Sequence, residues 1–210
     1  STMAVLRHIH ASPYLELAGL HMHIGTNIRD LSSFATAASE LHNLAQWLLN
    51  ELHVELKWLD VGGGLAGVSP YKREQQLTLH TLPDVNAYAE AVIKPLLPYF
   101  ATVKAKPTLY FEPGRTLFEA YGSLLTQVIG RRPADENGTL GYIVDAGINA
   151  LTTNFLYDFP VTTFTDNPEM SRAALFGPTC NQKDQLHPPL MLPQLQRHDL
   201  IAFQGVGAYC

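Results

Sequence analysis

Hydrophobic and polar positions follow two regimes along the chain. In the first, three short apolar runs each end in a polar loop: LAGLHMHIGT at 17–26, LKWLDVGGG at 56–64 and LYFEPGR at 109–115. His23 and Gly62 are 39 residues apart, and Gly62 and Glu112 are 50 apart, room each time for a loop, a helix and the next strand. Between the first two runs, Phe34, Ala37, Leu41, Leu44 and Leu48 recur at three- and four-residue steps, which predicts a helix with one buried face, capped by Ser32 or Ser33. A second helix is predicted to start near Asp84, run through Val85, Ala89 and Val92, and end or kink at Pro95 and Pro98. The polar stretch 71–81 between them is predicted as a loop over a barrel mouth. Parallel strands that alternate with helices and carry polar groups at their C-terminal ends are the repeating unit of a (β/α) barrel.

After Arg115 the pattern changes to β. GSLLTQVIGRR, LGYIVDAG, RAALFGPTC and HDLIAFQGVGAY are apolar or alternating runs separated by turn-rich stretches such as PADENG and TDNPEM. The predicted fold class is α/β: part of a TIM (β/α)8 barrel over 1–121, followed by a β-rich, barrel- or sandwich-like domain over 122–210.

The three loops together describe a site for a phosphate-bearing nitrogen heterocycle. Gly62, Gly63 and Gly64 allow backbone to approach phosphate oxygens closely. Glu112 supplies a carboxylate able to keep a ring nitrogen protonated, and Arg115 a forked cation for a phosphate or carboxylate. His23 offers a flat face for a ring and Thr26 a hydroxyl. His21 and His23 alternate on one strand, but no third ligand stands at metal-site spacing, so no metal is expected and His21 is assigned a structural role.

Composition narrows the class without naming it. With 46% hydrophobic and 16% charged residues, the chain has enough apolar side chains for a sizeable core. A formal charge of −5 without basic runs argues against nucleic acid as the main partner. No apolar stretch approaches a membrane span, and no signal peptide opens the chain. Only Cys180 and Cys210 are present, which disfavours a disulfide scaffold and points to a cytoplasmic setting.

Six runs, HMHIGT, LDVGGG, EPGRTLFEAYGSLL, YIVDAGINALTTNFLYD, LFGPTCNQKD and DLIAFQGVGAY, occur in an order that resembles the fold-type III pyridoxal-phosphate decarboxylases, the group of ornithine, arginine and diaminopimelate decarboxylases. The resemblance implies pyridoxal 5'-phosphate as cofactor, held by His23, Thr26, Gly62, Gly63, Gly64, Glu112, Gly114, Arg115 and Tyr209. It also implies barrel strands 6–8 in residues 1–121, an amino acid substrate near Tyr157, Asp158, Cys180 and Asn181, and catalytic roles for His23, Glu112 and Cys180. By resemblance Cys180 enters the neighbouring subunit's site, which implies a homodimer with shared active sites.

The departures are as informative. Nothing matches the family segment YA-x-KAN that carries the Schiff-base lysine, and the chain begins inside what resembles the fifth barrel helix. The expectation is therefore a C-terminal part of a larger enzyme, a fragment or a split polypeptide whose N-terminal barrel a second chain supplies. Lys57, Lys104 and Lys106 precede their strands, Lys72 and Lys94 fall in a loop and a helix, and Lys183 is in the β-rich part, so none is expected to take the lysine's place. Asn181 stands where relatives carry an acid, and Thr153 where the diaminopimelate type carries Arg. The expected reaction is decarboxylation of an L-amino acid of the diaminopimelate, ornithine or lysine kind, or a variant. The competing expectation is a non-catalytic homologue acting as a binding or regulatory protein. An alanine-racemase-like enzyme is disfavoured by EPGR and GPTC.

Overall fold

The computed structural model describes residues 2–69, 71–72 and 82–210. The expected loop at 71–81 lies outside the described residues beyond Lys72. The chain divides into two compact units, one of residues 1–66 and 82–114, the other of 67–81 and 115–210.

In the first unit, α1 (Thr2–His10), β1 (Gly19–His21), α2 (Leu31–Leu52), β2 (Trp58–Asp60), α3 (Val85–Thr102) and β3 (Thr108–Tyr110) alternate helix and strand. The three strands form a parallel sheet in the order β1-β2-β3, with Leu20, Leu59 and Leu109 in one cross-strand row and His21, Asp60 and Tyr110 in the next. Parallel strands need crossover connections, and α2 and α3 supply them. One face of α2 (Phe34, Ala38, Leu41, Ala45, Leu48) and one of α3 (Tyr88, Val92, Leu96, Tyr99) bury into a core with Leu59 and Val61. A side chain such as Leu48 contributes about 1.5–3 kcal/mol by leaving water.

The cap of α2 is corrected, and for α3 an end at Pro95 or Pro98 is ruled out. The α2 cap is Asp30, not Ser32 or Ser33: its carboxylate accepts the N–H groups of both serines at 3.0 and 3.1 Å, and both hydroxyls donate to it as well. An acceptor one residue before the helix reaches the orphan amides of its first turn, which serines inside that turn do not. Helix α3 continues through Pro95 and Pro98 to Thr102. Each proline removes an N–H and crowds the preceding turn at a cost of about 3 kcal/mol, and burial of the whole apolar face, Tyr88, Val92, Leu96 and Tyr99, offsets it.

In the second unit α4 (Gly114–Phe118, its Gly114 belonging to the first unit) and a 3-10 turn (Glu119–Tyr121) lead into β4 (Ser123–Arg132). The other strands are β5 (Leu140–Val144), β6 (Val161–Phe164), β7 (Met170–Phe176), β8 (Gln185–Pro193) and β9 (Leu200–Gln204). They make one six-stranded sheet ordered β6-β9-β4-β5-β7-β8, antiparallel except for the parallel β5–β7 pair. Its core includes Tyr142, Leu151, Phe159, Leu175, Leu186 and Phe203. The alternation α/β unit followed by a β-rich unit is the predicted fold class. Strand β8 escaped the sequence pattern because it contains Pro188, Pro189 and Pro193; it sits at a sheet edge, where prolines leave few ladder bonds unmade.

Candidate functional site

Within the first unit, the loops after β1, β2 and β3 meet. At Gly62 (φ +67°) a side chain would strike the Met22 carbonyl and come within 3.3 Å of His23 Nδ1. At Gly63 it would strike the Glu112 carbonyl, and at Gly64 (φ +87°) the Gly25 carbonyl. The glycine run is thus wedged between the two other loops, and only residues without a Cβ fit there. Backbone bonds fix the wedge: Met22 N–H to Asp60 C=O, Glu112 N–H to Gly62 C=O and Ile28 N–H to Gly64 C=O, each at 2.9 Å. The Tyr88 hydroxyl staples the rim by donating to Ile28 C=O at 2.6 Å and accepting from Ala66 N–H at 3.3 Å. Burial raises its pKa above the ordinary tyrosine value of 10.0.

This arrangement brings His23, Gly62, Gly63, Gly64 and Glu112 together, with Thr26 on the same loop as His23. His23, Thr26 and Glu112 are exposed, while Gly62 and Gly63 are buried. It also places beside them His21, which the sequence reading assigned a structural role, and Asp60, which it did not consider. His21 Nδ1 lies 3.2 Å from Asp60 Oδ2, and ligand atoms of His21, Asp60 and Glu112 all fall within 4.8 Å of one another. Sequence spacing offers His21 no third ligand because the two acids stand at the end of β2 and in the loop after β3, 39 and 91 residues away. The signal was present in LDVGGG, where Asp60 ends the apolar run. Asp60 also fixes the glycine loop, its Oδ1 accepting Gly62 N–H at 2.9 Å.

Within the second unit, Arg115 is buried (5% exposed) and paired with Glu119 (1%) one helical turn on. Its guanidinium lies 4.4 Å from the centre of the Tyr157 ring and 5.1 Å from that of Tyr209. Glu119 Oε2 accepts Ser69 N–H at 3.1 Å. The C-terminal GVGAY loop docks on the 3-10 turn through Val206 N–H to Gly122 C=O and Gly207 N–H to Glu119 C=O, both 3.1 Å. Glycine is needed at 122 and 207 because the two backbones touch there. Tyr209 thereby reaches Arg115, with φ +62° and its carbonyl accepting from the Thr152 hydroxyl at 2.6 Å.

The residues predicted to touch substrate are spread over different surroundings. Tyr157 is fully buried against Tyr71, Phe159 and Arg115. Asp158 lines a cavity of ≈ 790 Å³ with Lys72, Asn154 and Lys183. Cys180 and Asn181 stand exposed on the β7–β8 connection and line another cavity, of ≈ 450 Å³, with Thr179 and Asp184. Gly114 donates its N–H to Glu112 C=O at 2.9 Å. Lys57 precedes β2, and Lys104 and Lys106 precede β3, so all three stand at the strand starts, away from these loops.

The first unit is therefore of a recognisable class: a parallel α/β sheet whose C-terminal loops assemble an imidazole, a glycine cradle and a carboxylate. Residues 1–119 match the family described as "Pyridoxal-dependent decarboxylase, pyridoxal binding domain", and the chain belongs to that family. It is 32% identical over 202 residues to the diaminopimelate decarboxylase of Helicobacter pylori, covering 94% of this chain and 46% of that protein. The crystal structure of the H. pylori enzyme complexed with L-lysine superposes with a TM-score of 0.78 at 28% identity, covering 99% of this chain and 48% of that one. That of the M. jannaschii diaminopimelate decarboxylase with L-lysine gives 0.81 at 26% identity, covering 99% and 46%. The chain spans just under half the length of these relatives.

Proposed function

We propose that this chain forms the cofactor-holding and C-terminal part of a pyridoxal-phosphate-dependent L-amino acid decarboxylase. The observation that carries the reading is the meeting of His23, Gly62–Gly64 and Glu112 at the ends of three parallel strands, inside the stretch that matches a pyridoxal-binding family.

The donor set suits such a cofactor. Glycines at 62–64 place backbone rather than side chains at the strand ends, which suits a phosphate, and the cluster of Glu112, Asp60 and His21 suits a protonated ring nitrogen. Arg115 Nε is buried with no hydrogen-bond partner among the described residues, a deficit that an anionic oxygen would relieve. We assign residues 1–121 to barrel strands 6–8 and 122–210 to the β-rich domain. Gly62, Gly63, Gly64, Thr26, Gly114, Arg115 and Tyr209 are assigned to the phosphate side and Glu112 to the ring nitrogen.

Pyridoxal phosphate, when bound, supplies an electron sink for the pair left as CO₂ departs. The chain's own residues do the rest. Glu112 would keep a proton at the pyridine nitrogen, with Asp60 and the His21 that pairs with it nearby. His23 would lie against a face of the ring. Cys180 holds the proton that returns to the substrate α-carbon, acting in the site of a second subunit of a homodimer. The substrate is an L-amino acid near Tyr157, Asp158 and Asn181, of the diaminopimelate, ornithine or lysine kind or a variant. The neutral amide of Asn181 hydrogen-bonds a distal group without charge pairing, which weakens selection for a distal ammonium.

The test uses the complete protein with pyridoxal phosphate, borohydride reduction and peptide mass spectrometry. A pyridoxyl mark on a lysine outside these residues, with amine product formed, is the expected result. Glu112→Ala is then expected to lower kcat by on the order of 100-fold or more while changing KM little. No specific mark and no product would favour a non-catalytic homologue. Equal loss in kcat and in cofactor binding would remove the electron-sink role from Glu112.

A further inference from the structure

Between β7 and β8 the chain makes a short connection, GPTCNQKD, that leaves Cys180 exposed. The only strongly buried acid in this connection is Asp184, at 2% exposure. Its Oδ1 accepts Ile148 N–H at 2.8 Å; its Oδ2 accepts both Thr179 N–H at 2.8 Å and the Thr179 hydroxyl at 2.6 Å. Its backbone closes the same turn, accepting Gly177 N–H at 2.7 Å and donating to Asn181 C=O at 2.9 Å. The carboxylate is boxed in as well. A side chain at Gly177 would collide with it, and one at Gly147 would come within 3.0 Å of Oδ1.

We infer that Asp184 is the positioning residue for Cys180: it clamps Thr179, the residue next to the thiol, to Ile148 on the loop after β5. Three donors on one buried carboxylate make each bond charge-assisted, and leaving any of them unmade in the interior costs more than it would at the surface. The turn has no core side chain of its own between Thr179 and Asp184, since Cys180, Asn181, Gln182 and Lys183 are all exposed. Its shape is therefore set by the polar bonds, chiefly those of Asp184, with smaller help from Asn181 N–H to Thr179 Oγ1 at 3.4 Å and Lys183 N–H to Asn181 Oδ1 at 2.9 Å. Asp184 itself accepts no bond from Cys180; it acts through Thr179. The catalytic meaning rests on the decarboxylase reading, in which Cys180 delivers a proton to one face of the substrate carbon, and a donor displaced by about 1 Å loses on the order of 100-fold in rate.

The experiment compares Asp184→Asn, Thr179→Val and Thr179→Ser in the complete protein with two readouts. The first, alkylation of Cys180 by iodoacetamide, needs neither cofactor nor substrate. The second is turnover in D₂O, reading kcat, KM and the face of the product carbon that carries deuterium. Asp184→Asn and Thr179→Val are expected to change the alkylation rate several-fold, to lower kcat about 10- to 100-fold at little-changed KM, and to spread deuterium over both faces. Thr179→Ser keeps the hydroxyl and is expected to behave as the parent. A merely folded-fraction effect would lower kcat but leave the deuterium on one face. If Asp184→Asn fails to fold, Thr179→Val, which removes one hydroxyl, carries the test. Unchanged alkylation and single-face deuteration in folded Thr179→Val would overturn the inference. An altered alkylation rate in a protein without decarboxylase activity would leave the clamp standing and remove the catalytic reading instead.

Discussion

Arg115 and Glu119 show how single residues set the character of the second unit. A buried guanidinium loses its hydration, and its compensation comes from one carboxylate four residues on and two aromatic faces. Such a pair adds little relative to an apolar replacement of both, but removing one member strands the other. Glu119→Ala is therefore expected to destabilise the unit by about 3–5 kcal/mol, read as a lower midpoint in urea unfolding of the complete protein. Arg115→Met with Glu119→Leu together should recover much of that loss, and recovery smaller than about 1 kcal/mol would show that the rings, not the pair, hold the site. That the loops of His23, Gly62–Gly64 and Glu112 lie together was legible because each stands at the end of an apolar run, a pattern within reach of a short sequence window. Glu119 and Asp184 were not, because what they satisfy is the backbone of Ser69 and Ile148, which are 50 and 36 residues away.

Elements were legible where burial has a period and less so where polar groups or prolines decide. The amphipathic faces of α2 and α3 follow from their three- and four-residue steps, but the start of α2 depends on a competition between acceptors that Asp30 wins. Two serine hydroxyls and their N–H groups lower the Asp30 pKa from 3.8 to about 2. A carboxyl whose pKa falls on folding stabilises the fold above its unfolded value, and that contribution fades as pH drops from about 4 to about 2. Asp30→Asn is expected to lower the melting temperature at pH 7 slightly and to flatten the loss of stability across this acid window, checked by thermal unfolding at stepped pH. At the other end of the scale, the Tyr88 pKa is raised by burial, so the neutral phenol is favoured in the folded state and its contribution is complete below pH 10 and lost above it. Tyr88→Phe leaves Ile28 C=O and Ala66 N–H without their shared partner and is expected to cost about 1–3 kcal/mol. It should also speed hydrogen exchange at Ala66 and loosen the loops that carry His23 and the glycine cradle.

At the scale of the whole molecule, the small parallel sheet is the most demanding feature. Parallel strands of this architecture are normally buried on both faces and continued on both sides, because crossover helices cover them and each strand presents a row of N–H and C=O groups to a neighbour. Among the described residues, β1 and β3 are bonded to β2 on one side, and no other strand pairs with them on the other. Apolar side chains also stand exposed around this unit, Tyr14, Leu15, Tyr110 and Phe111 among them. Its interior is nevertheless well formed: Leu48, Leu59, Leu96 and Tyr99 are fully buried, so the unit has a core to keep and unsatisfied rims to shield. Residues 1–210 expressed alone are therefore expected to self-associate or unfold in part, seen as high-mass species in size-exclusion chromatography with light scattering and as a broad thermal transition. Charged substitutions on the rim, Tyr110→Lys and Phe111→Lys, should reduce that association without restoring a sharp transition, because they remove sticky surface but add no strand partners. A monodisperse monomer that unfolds in one cooperative step would show instead that the rims are satisfied within this chain.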